Sequence, residues 1–200
     1  DDKFIRGFFT LQSGDYIVFS DKINLANIDI LEGITDTSTI EQILSQKLGP
    51  EFWPCLSNGT SPDGDWWKNI LVGKGKGTQL LYTALKKQQK VAGIGNIIAI
   101  ETLFRSKISP ELRCCDLSDM QWSTLATQIE SVVEYSMKQH RSMRLQEQKH
   151  TKNTRHFSGI LHLVSEGKHR ADGYLIYGRL HEICPQCEAA HIKKTKVGSQ

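Results

Sequence analysis

The residues with the clearest chemical spacing lie near the end of the 200-residue sequence, in Cys184-Pro185-Gln186-Cys187. Two thiolates on a tight Pro-containing turn supply one edge of a zinc tetrahedron, and a closed structural site needs two more ligands. Ribbon spacing would put those in a second C-x-x-C about fifteen to twenty residues further on, whereas the sequence given runs to Gln200. A self-contained alternative uses His181, Cys184, Cys187 and His191, which is possible but cramped. Redox chemistry is the weaker reading of the pair, because no thioredoxin-like βαβ pattern surrounds it. Cys55, Cys114 and Cys115 read as ordinary core or surface thiols. Five cysteines are too few for a disulfide scaffold and suit a reducing compartment.

The second candidate is Gly93-Ile94-Gly95-Asn96, placed between two helical patterns. It fails as a dinucleotide fingerprint, since Ile98 stands where the third glycine belongs and no strand precedes it. One reading is a tight turn that delivers free N–H groups to a phosphate at a helix N-terminus, with the Asn96 amide as a further donor. The other is a glycine turn with Asn96 as helix cap. Gly73-Lys74-Gly75-Lys76-Gly77-Thr78 lacks the spacing of a nucleotide phosphate loop and reads as a flexible basic linker.

Several elements must position these groups. Residues 4–11 and 16–19 are aromatic and β-branched runs on either side of Gln12-Ser13-Gly14-Asp15, a hairpin signal, and a third strand fits around Asn27 to Leu31. Ser38-Thr39-Ile40-Glu41 reads as a capping box that opens an amphipathic helix stopped by Gly49-Pro50. The turn-rich segment 54–77 is expected to join two domains. Helical periodicity follows at Leu80, Leu81, Ala84 and Leu85, then at Ile97, Ile100, Leu103 and Phe104. A longer helix starts at Ser118, whose capping box closes at Gln121, with Trp122, Leu125, Ile129, Val132 and Val133 on one face. Residues 138–170 hold eight Lys or Arg and five of the seven histidines, and are expected to be a mobile, exposed loop facing a polyanion. Tyr174 to Tyr177 reads as a short strand leading into the C-x-x-C.

Charge supports a polyanionic partner. The formal net charge is only +3, but residues 1–66 carry 4 basic and 11 acidic side chains, whereas residues 67–200 carry 21 and 11. An asymmetry of that size assigns the later part to a polyanion. No apolar run approaches the roughly 20 residues of a membrane span, and the Asp1-Asp2-Lys3 start has no signal-peptide pattern.

Lys90 through Phe104, with Ile108-Ser109-Pro110 after it, closely resembles the helix-two-turn-helix signature of the formamidopyrimidine-DNA glycosylase and endonuclease VIII family. Tyr177-Gly178-Arg179 ahead of the C-x-x-C looks like the entry to that family's zinc finger, and Gly14 to Leu31 like the last strands of its N-terminal β-sandwich. The resemblance implies an α+β multi-domain protein: a partial β-sandwich over 1–58, a helix-two-turn-helix helical domain over 59–140, and a basic loop with an incomplete zinc-finger hairpin over 141–200. It implies base-excision repair, in which an oxidised base is flipped out of duplex DNA and its glycosidic bond is cleaved, after which lyase chemistry nicks the abasic strand. Carried over, Gly95, Asn96 and Tyr177 would bind DNA, Glu101 would support the active site, and Cys184 and Cys187 would be two of four ligands to a structural zinc. The partner would be double-stranded DNA with an oxidised base or abasic site, bound by a monomer in an intracellular, DNA-associated setting with no membrane.

The departures from the family pattern are specific. Its nucleophile is an N-terminal proline amine with an adjacent Glu as general acid, where this sequence has Asp1 and Asp2. Asp21-Lys22-Ile23-Asn24-Leu25-Ala26 stands where formamidopyrimidine enzymes carry Asp-Pro-Arg-Arg-Phe-Gly, which leans toward the endonuclease VIII branch. The sequence is therefore expected to lack both ends of the catalytic apparatus and to bind damaged DNA without cleaving it. Two rivals are a non-enzymatic zinc-containing DNA-binding module and a zinc-stabilised interaction protein.

Overall fold

The computed structural model describes residues 4–21, 28, 32–34, 36–52, 61–150 and 174–197, with side chains described as far as 139 in the longest helix. Strands β1 (Ile5–Thr10) and β2 (Tyr16–Ser20) pair antiparallel, with Phe8 opposite Val18 and Thr10 opposite Tyr16. The hairpin matches the sequence reading because its turn is built from the expected residues. Gly14 takes φ +86°, Leu11 N–H donates to the Asp15 carbonyl at 2.7 Å, and the Ser13 hydroxyl donates to the Asp15 carboxylate at 2.9 Å. This two-stranded sheet is the only one among the described residues. The third strand expected near Asn27 to Leu31 lies, but for Ile28, outside them.

Helix α1 spans Thr37–Lys47, and its cap differs from the expected one. Asp36, not Ser38, caps it: the carboxylate accepts the Thr39 N–H at 2.7 Å and the Ser38 and Thr39 hydroxyls at 2.6 and 2.8 Å. A carboxylate has lone pairs for all three donors, so the Ser38 hydroxyl becomes a donor to the cap and not the cap itself. These bonds, the Ser38 hydroxyl foremost, hold the Asp36 pKa at about 2.

The described part of 54–77 is not a linker. Helix α2 (Gly64–Val72) runs through it, capped by Asp63, whose carboxylate accepts the Trp66 N–H at 2.8 Å. Pro62-Asp63-Gly64 reads as a loop by composition, yet it starts a helix whose Trp67 and Leu71 are buried. Gly64 is there for packing, since a Cβ at this position would sit 2.7 Å from the Ser123 backbone nitrogen. The remaining helices are α3 (Leu81–Leu85), α4 (Asn96–Arg105) and α5 (Asp119–His150). The α5 capping box forms as read: Ser118 N–H donates to Gln121 Oε1 at 2.9 Å, and Gln121 N–H donates to Ser118 Oγ at 3.3 Å.

Helices α2 and α4 pack against α5. Their core joins Trp67, Leu71, Leu81, Leu85 and Ile94 to Trp122, Leu125 and Ile129, and each large apolar side chain so buried stabilises the fold by about 1.5–3 kcal/mol. The α5 face predicted from periodicity, Trp122 to Val133, is buried throughout. Helix α5 then continues through 138–150, so that part of the expected basic loop is helical. The segment is rich in Lys, Arg, Gln, Glu, Met and Leu, all good helix formers. Residues 151–173 lie outside the description. No helix among the described residues is long and apolar enough to cross a membrane.

Candidate nucleic-acid interface

The approach to α4 is held by backbone pairing and one side chain. Gly49 N–H donates to the Gln88 carbonyl at 2.7 Å and Ala92 N–H to the Pro50 carbonyl at 3.1 Å, which docks the end of the α1 segment along 88–92. The Gln88 side-chain amide spans the turn: Nε2 donates to the Ile94 carbonyl at 2.7 Å, and Oε1 accepts the Gly93 N–H at 2.9 Å. Gly93 sits at φ +94°, a region that favours glycine, and Ile94 is fully buried. The turn is therefore anchored before the helix begins.

Gly95, not Asn96, occupies the cap position of α4, and no side chain caps the helix. Asn96 is the first helical residue, so the reading in which it serves as cap does not hold. The first-turn amides are left without a side-chain acceptor and carry the positive end of the helix dipole. Gly95 is extended (φ −97°, ψ −174°), a conformation open to any residue, and a Cβ there would meet nothing within 4 Å. Neither backbone geometry nor internal packing asks for glycine at this position. Its bare backbone faces open space in which another molecule can come close.

The Asn96 side chain is oriented by its neighbours. The Tyr82 hydroxyl donates to Asn96 Oδ1 at 2.5 Å and accepts from Lys86 Nζ at 3.0 Å, with that ammonium 4.5 Å from the Tyr82 ring centre. Because Lys86 can only donate, the tyrosine proton must go to the amide oxygen, which leaves the Asn96 NH₂ as the available end. The cluster thus combines two amide hydrogens, uncapped backbone N–H groups and one ammonium, a donor set suited to an oxyanion.

Glu101, five residues on, lies about 7.5 Å further along the α4 axis and well round from Asn96. It is fully buried. Its carboxylate accepts three successive backbone amides, from Leu175 at 2.9 Å and from Ile176 and Tyr177 at 2.8 Å each. Arg105 Nε stands 3.6 Å from the same group. Hydrogen bonds to a charged group contribute about 1.5–3 kcal/mol each, enough to account for a buried carboxylate here. They also overturn the expected strand over Tyr174 to Tyr177. Amides turned toward one carboxylate cannot form a ladder, and the segment is a bend. Tyr177 contributes its amide to Glu101 and its ring to an edge-on contact with Tyr174 at 6.1 Å, while its hydroxyl has no partner among the described residues.

Cys184 and Cys187 stand on a tight loop. Ile183 bridges His191 antiparallel, Cys184 N–H donates to the Ala190 carbonyl at 2.7 Å, and Glu188 N–H donates to the Cys184 carbonyl at 2.9 Å. The amides of Ala189 and Ala190, and then Cys184, lower the Cys187 pKa, which favours the thiolate that a metal takes. The self-contained four-ligand alternative is not formed. No group of three or more His, Cys, Asp or Glu among the described residues is placed to hold a metal, and the His191 ring is paired through Nδ1 with the His181 carbonyl at 2.9 Å. Among the described residues, no group of three or more metal-ligating side chains includes Cys184 and Cys187.

Tyr82, Lys86 and Gln88 were not singled out from sequence. The i,i+4 spacing of Tyr82 and Lys86 was the available signal, and Gln88 had none, because its role depends on the shape of the turn it spans.

The "Formamidopyrimidine-DNA glycosylase H2TH domain" family matches residues 70–147, which run from α2 into α5. A formamidopyrimidine-DNA glycosylase of Psychromonas ingrahamii is 29% identical over 188 residues, covering 90% of this chain and 63% of that protein. The Bacillus subtilis protein of the same name is 31% identical over 134 residues, 67% of this chain and 45% of that protein. The chain thus spans less than two thirds of the length of either relative. A Lactococcus lactis Fpg structure, solved as a complex with abasic-site DNA, superposes with a TM-score of 0.58 at 23% identity, over 84% of this chain and 53% of that one, which shows a shared fold. The lean toward the endonuclease VIII branch rests on segment 21–26, of which only Asp21 is described, and both named relatives are formamidopyrimidine-DNA glycosylases. The helical core, its uncapped α4 and these likenesses agree on one point: residues 70–147 form a formamidopyrimidine-DNA glycosylase H2TH domain.

Proposed function

We propose that this chain grips the sugar-phosphate backbone of duplex DNA at an oxidised base or abasic site, with Gly95, Asn96 and Tyr177 as contacts. The observation that carries the reading is the α4 N-terminus. There an open glycine backbone, uncapped amides and an Asn96 NH₂ held outward by Tyr82 lie together beside Lys86. Phosphate contacts of this kind set position and affinity and leave sequence unread, as suits an enzyme that recognises a lesion by extruding a base. For the whole protein the reading is a base-excision repair glycosylase with abasic lyase activity, acting as a monomer. Cys184 and Cys187 then belong to a structural zinc site completed by two ligands outside the described residues.

Titration of a fluorescent abasic-site duplex with residues 1–200 across salt tests the binding step. About 3 to 6 phosphate contacts give a slope of log K against log salt near −3 to −5, whereas a flat dependence removes DNA from the account. Borohydride trapping on abasic DNA tests the lyase step in the whole protein, and a whole protein that binds but never crosslinks favours the non-enzymatic module.

A further inference from the structure

Two independent contacts fix the segment 174–177 on the helical core. The first is the acceptance of three amides by Glu101 of α4. The second involves α5: the Tyr174 hydroxyl is hydrogen-bonded to Ser136 Oγ at 2.7 Å, and its ring meets Tyr135 edge-on at 5.4 Å. From the clamped segment, Arg179 reaches back to the Leu175 carbonyl at 3.3 Å and forward to Glu182 at 2.8 Å, which ties the Cys184 loop to the same anchor. Gln186 Nε2 touches the Phe104 carbonyl at 3.5 Å, again on α4. A carboxylate that only balanced Arg105 would need none of the amides of residues 175–177.

We propose that Glu101 is a positioning residue for DNA binding. It touches no DNA itself, but holds the backbone of 175–177 so that Tyr177 lies where it contacts a phosphate in register with the one held at Asn96. Because α4 carries Asn96 at its first position and Glu101 at its middle, one rigid helix sets the spacing between the two contacts. The geometry accounts for a fully buried carboxylate that accepts three amides, and for the bend where a strand was expected. The inference rests on the DNA-binding reading above.

The test compares the affinity for an abasic-site duplex of the 200-residue chain, Glu101→Gln, Tyr177→Phe and the double variant, with Asn96→Ala as an independent contact. Glu101→Gln keeps the side-chain shape and one acceptor oxygen, and helical circular dichroism confirms that it folds. Glu101→Gln and Tyr177→Phe should each weaken binding severalfold, and the double variant should be no weaker than the worse single one. Asn96→Ala should multiply with either. Amide exchange at 175–177 should quicken at least tenfold in Glu101→Gln, with α5 core amides unchanged. Wild-type affinity for Glu101→Gln alongside a weakened Asn96→Ala overturns the inference and leaves the function standing, as do losses that multiply between Glu101→Gln and Tyr177→Phe. A wild-type chain with no salt-dependent DNA binding overturns both. If Glu101→Gln does not fold, Tyr174→Phe, which breaks the Ser136 bond, takes its place with the same expectations.

Discussion

The amide of Tyr177 donates to Glu101 Oε1 at 2.8 Å across 76 residues of sequence. That bond, with its two neighbours, ties the segment leading to the cysteine loop to the helix that begins at Asn96. The candidate phosphate donors at Asn96 and Tyr177 are thus mounted on one helix.

Tyr82→Phe removes the hydroxyl that orients Asn96 and leaves the ring in place. Loss of one ordinary hydrogen bond is worth about 1 kcal/mol, so DNA affinity should fall about fivefold while the melting temperature stays near wild type. Asn96→Ala, which removes the donor itself, should cost about tenfold or more. Fluorescence anisotropy on an abasic duplex reads both, and equal affinity for all three proteins would leave the cluster without a ligand.

Two glycines should respond in opposite ways. Gly95→Val places its side chain where nothing lies within 4 Å, so stability should hold while DNA binding is lost to steric exclusion. Gly64→Ala drives a Cβ to within 2.7 Å of the α5 backbone and should destabilise the fold by about 1–3 kcal/mol. Thermal melts and binding assays on the pair separate a surface glycine from a packing one.

Asp36 sets a pH dependence for α1. Its pKa lies at about 2, below the ordinary 3.8, because the folded state donates hydrogen bonds to the carboxylate, from the Ser38 hydroxyl first. A depressed carboxylate contributes stability that is complete above its unfolded value and is lost as pH falls through its folded one. Helix α1 should therefore fray between about pH 4 and pH 2, seen as quickened exchange of the Thr39 amide. Asp36→Ala should show the frayed state at neutral pH, and Ser38→Ala a smaller effect.

The thiols should react in a fixed order. Local amides lower the Cys187 pKa, partial desolvation and then Asp116 raise that of Cys115, and burial lifts Cys114 to about 11. Iodoacetamide labelling near pH 7.5, followed by mass spectrometry, should modify Cys187 before Cys115 and leave Cys114 untouched in the folded chain. Zinc should slow the reaction at Cys187 if that thiolate is a ligand.

Local rules were enough for some elements and not for others. The hairpin, the Ser118–Gln121 box and the buried face of α5 follow from turn chemistry and periodicity alone, so they could be read from residue order. Helix α2 could not, because Pro62-Asp63-Gly64 is a loop signal by composition and a cap plus a close-packing glycine in three dimensions. The Tyr174–Tyr177 bend was misread because its β-rich residues take their hydrogen bonds from a carboxylate more than seventy residues away. Gly95 and Asn96 read from residue order as either a phosphate-binding turn or a glycine turn with Asn96 as cap, and the three-dimensional position of Asn96 as first helical residue removes the second. Tyr82, which orients Asn96, was hidden in a run of helix formers.

The central claim is that the α4 N-terminus holds a DNA phosphate, and NMR mapping of amide shifts on addition of an abasic-site duplex tests it most directly. The account predicts that the largest shifts fall on the backbone amides of Gly95, Asn96 and Ile97 and on the Asn96 side-chain NH₂, with a second set at Tyr177. Shifts confined to the β1–β2 hairpin, or saturable binding that leaves Gly95 to Ile97 unmoved, would contradict it.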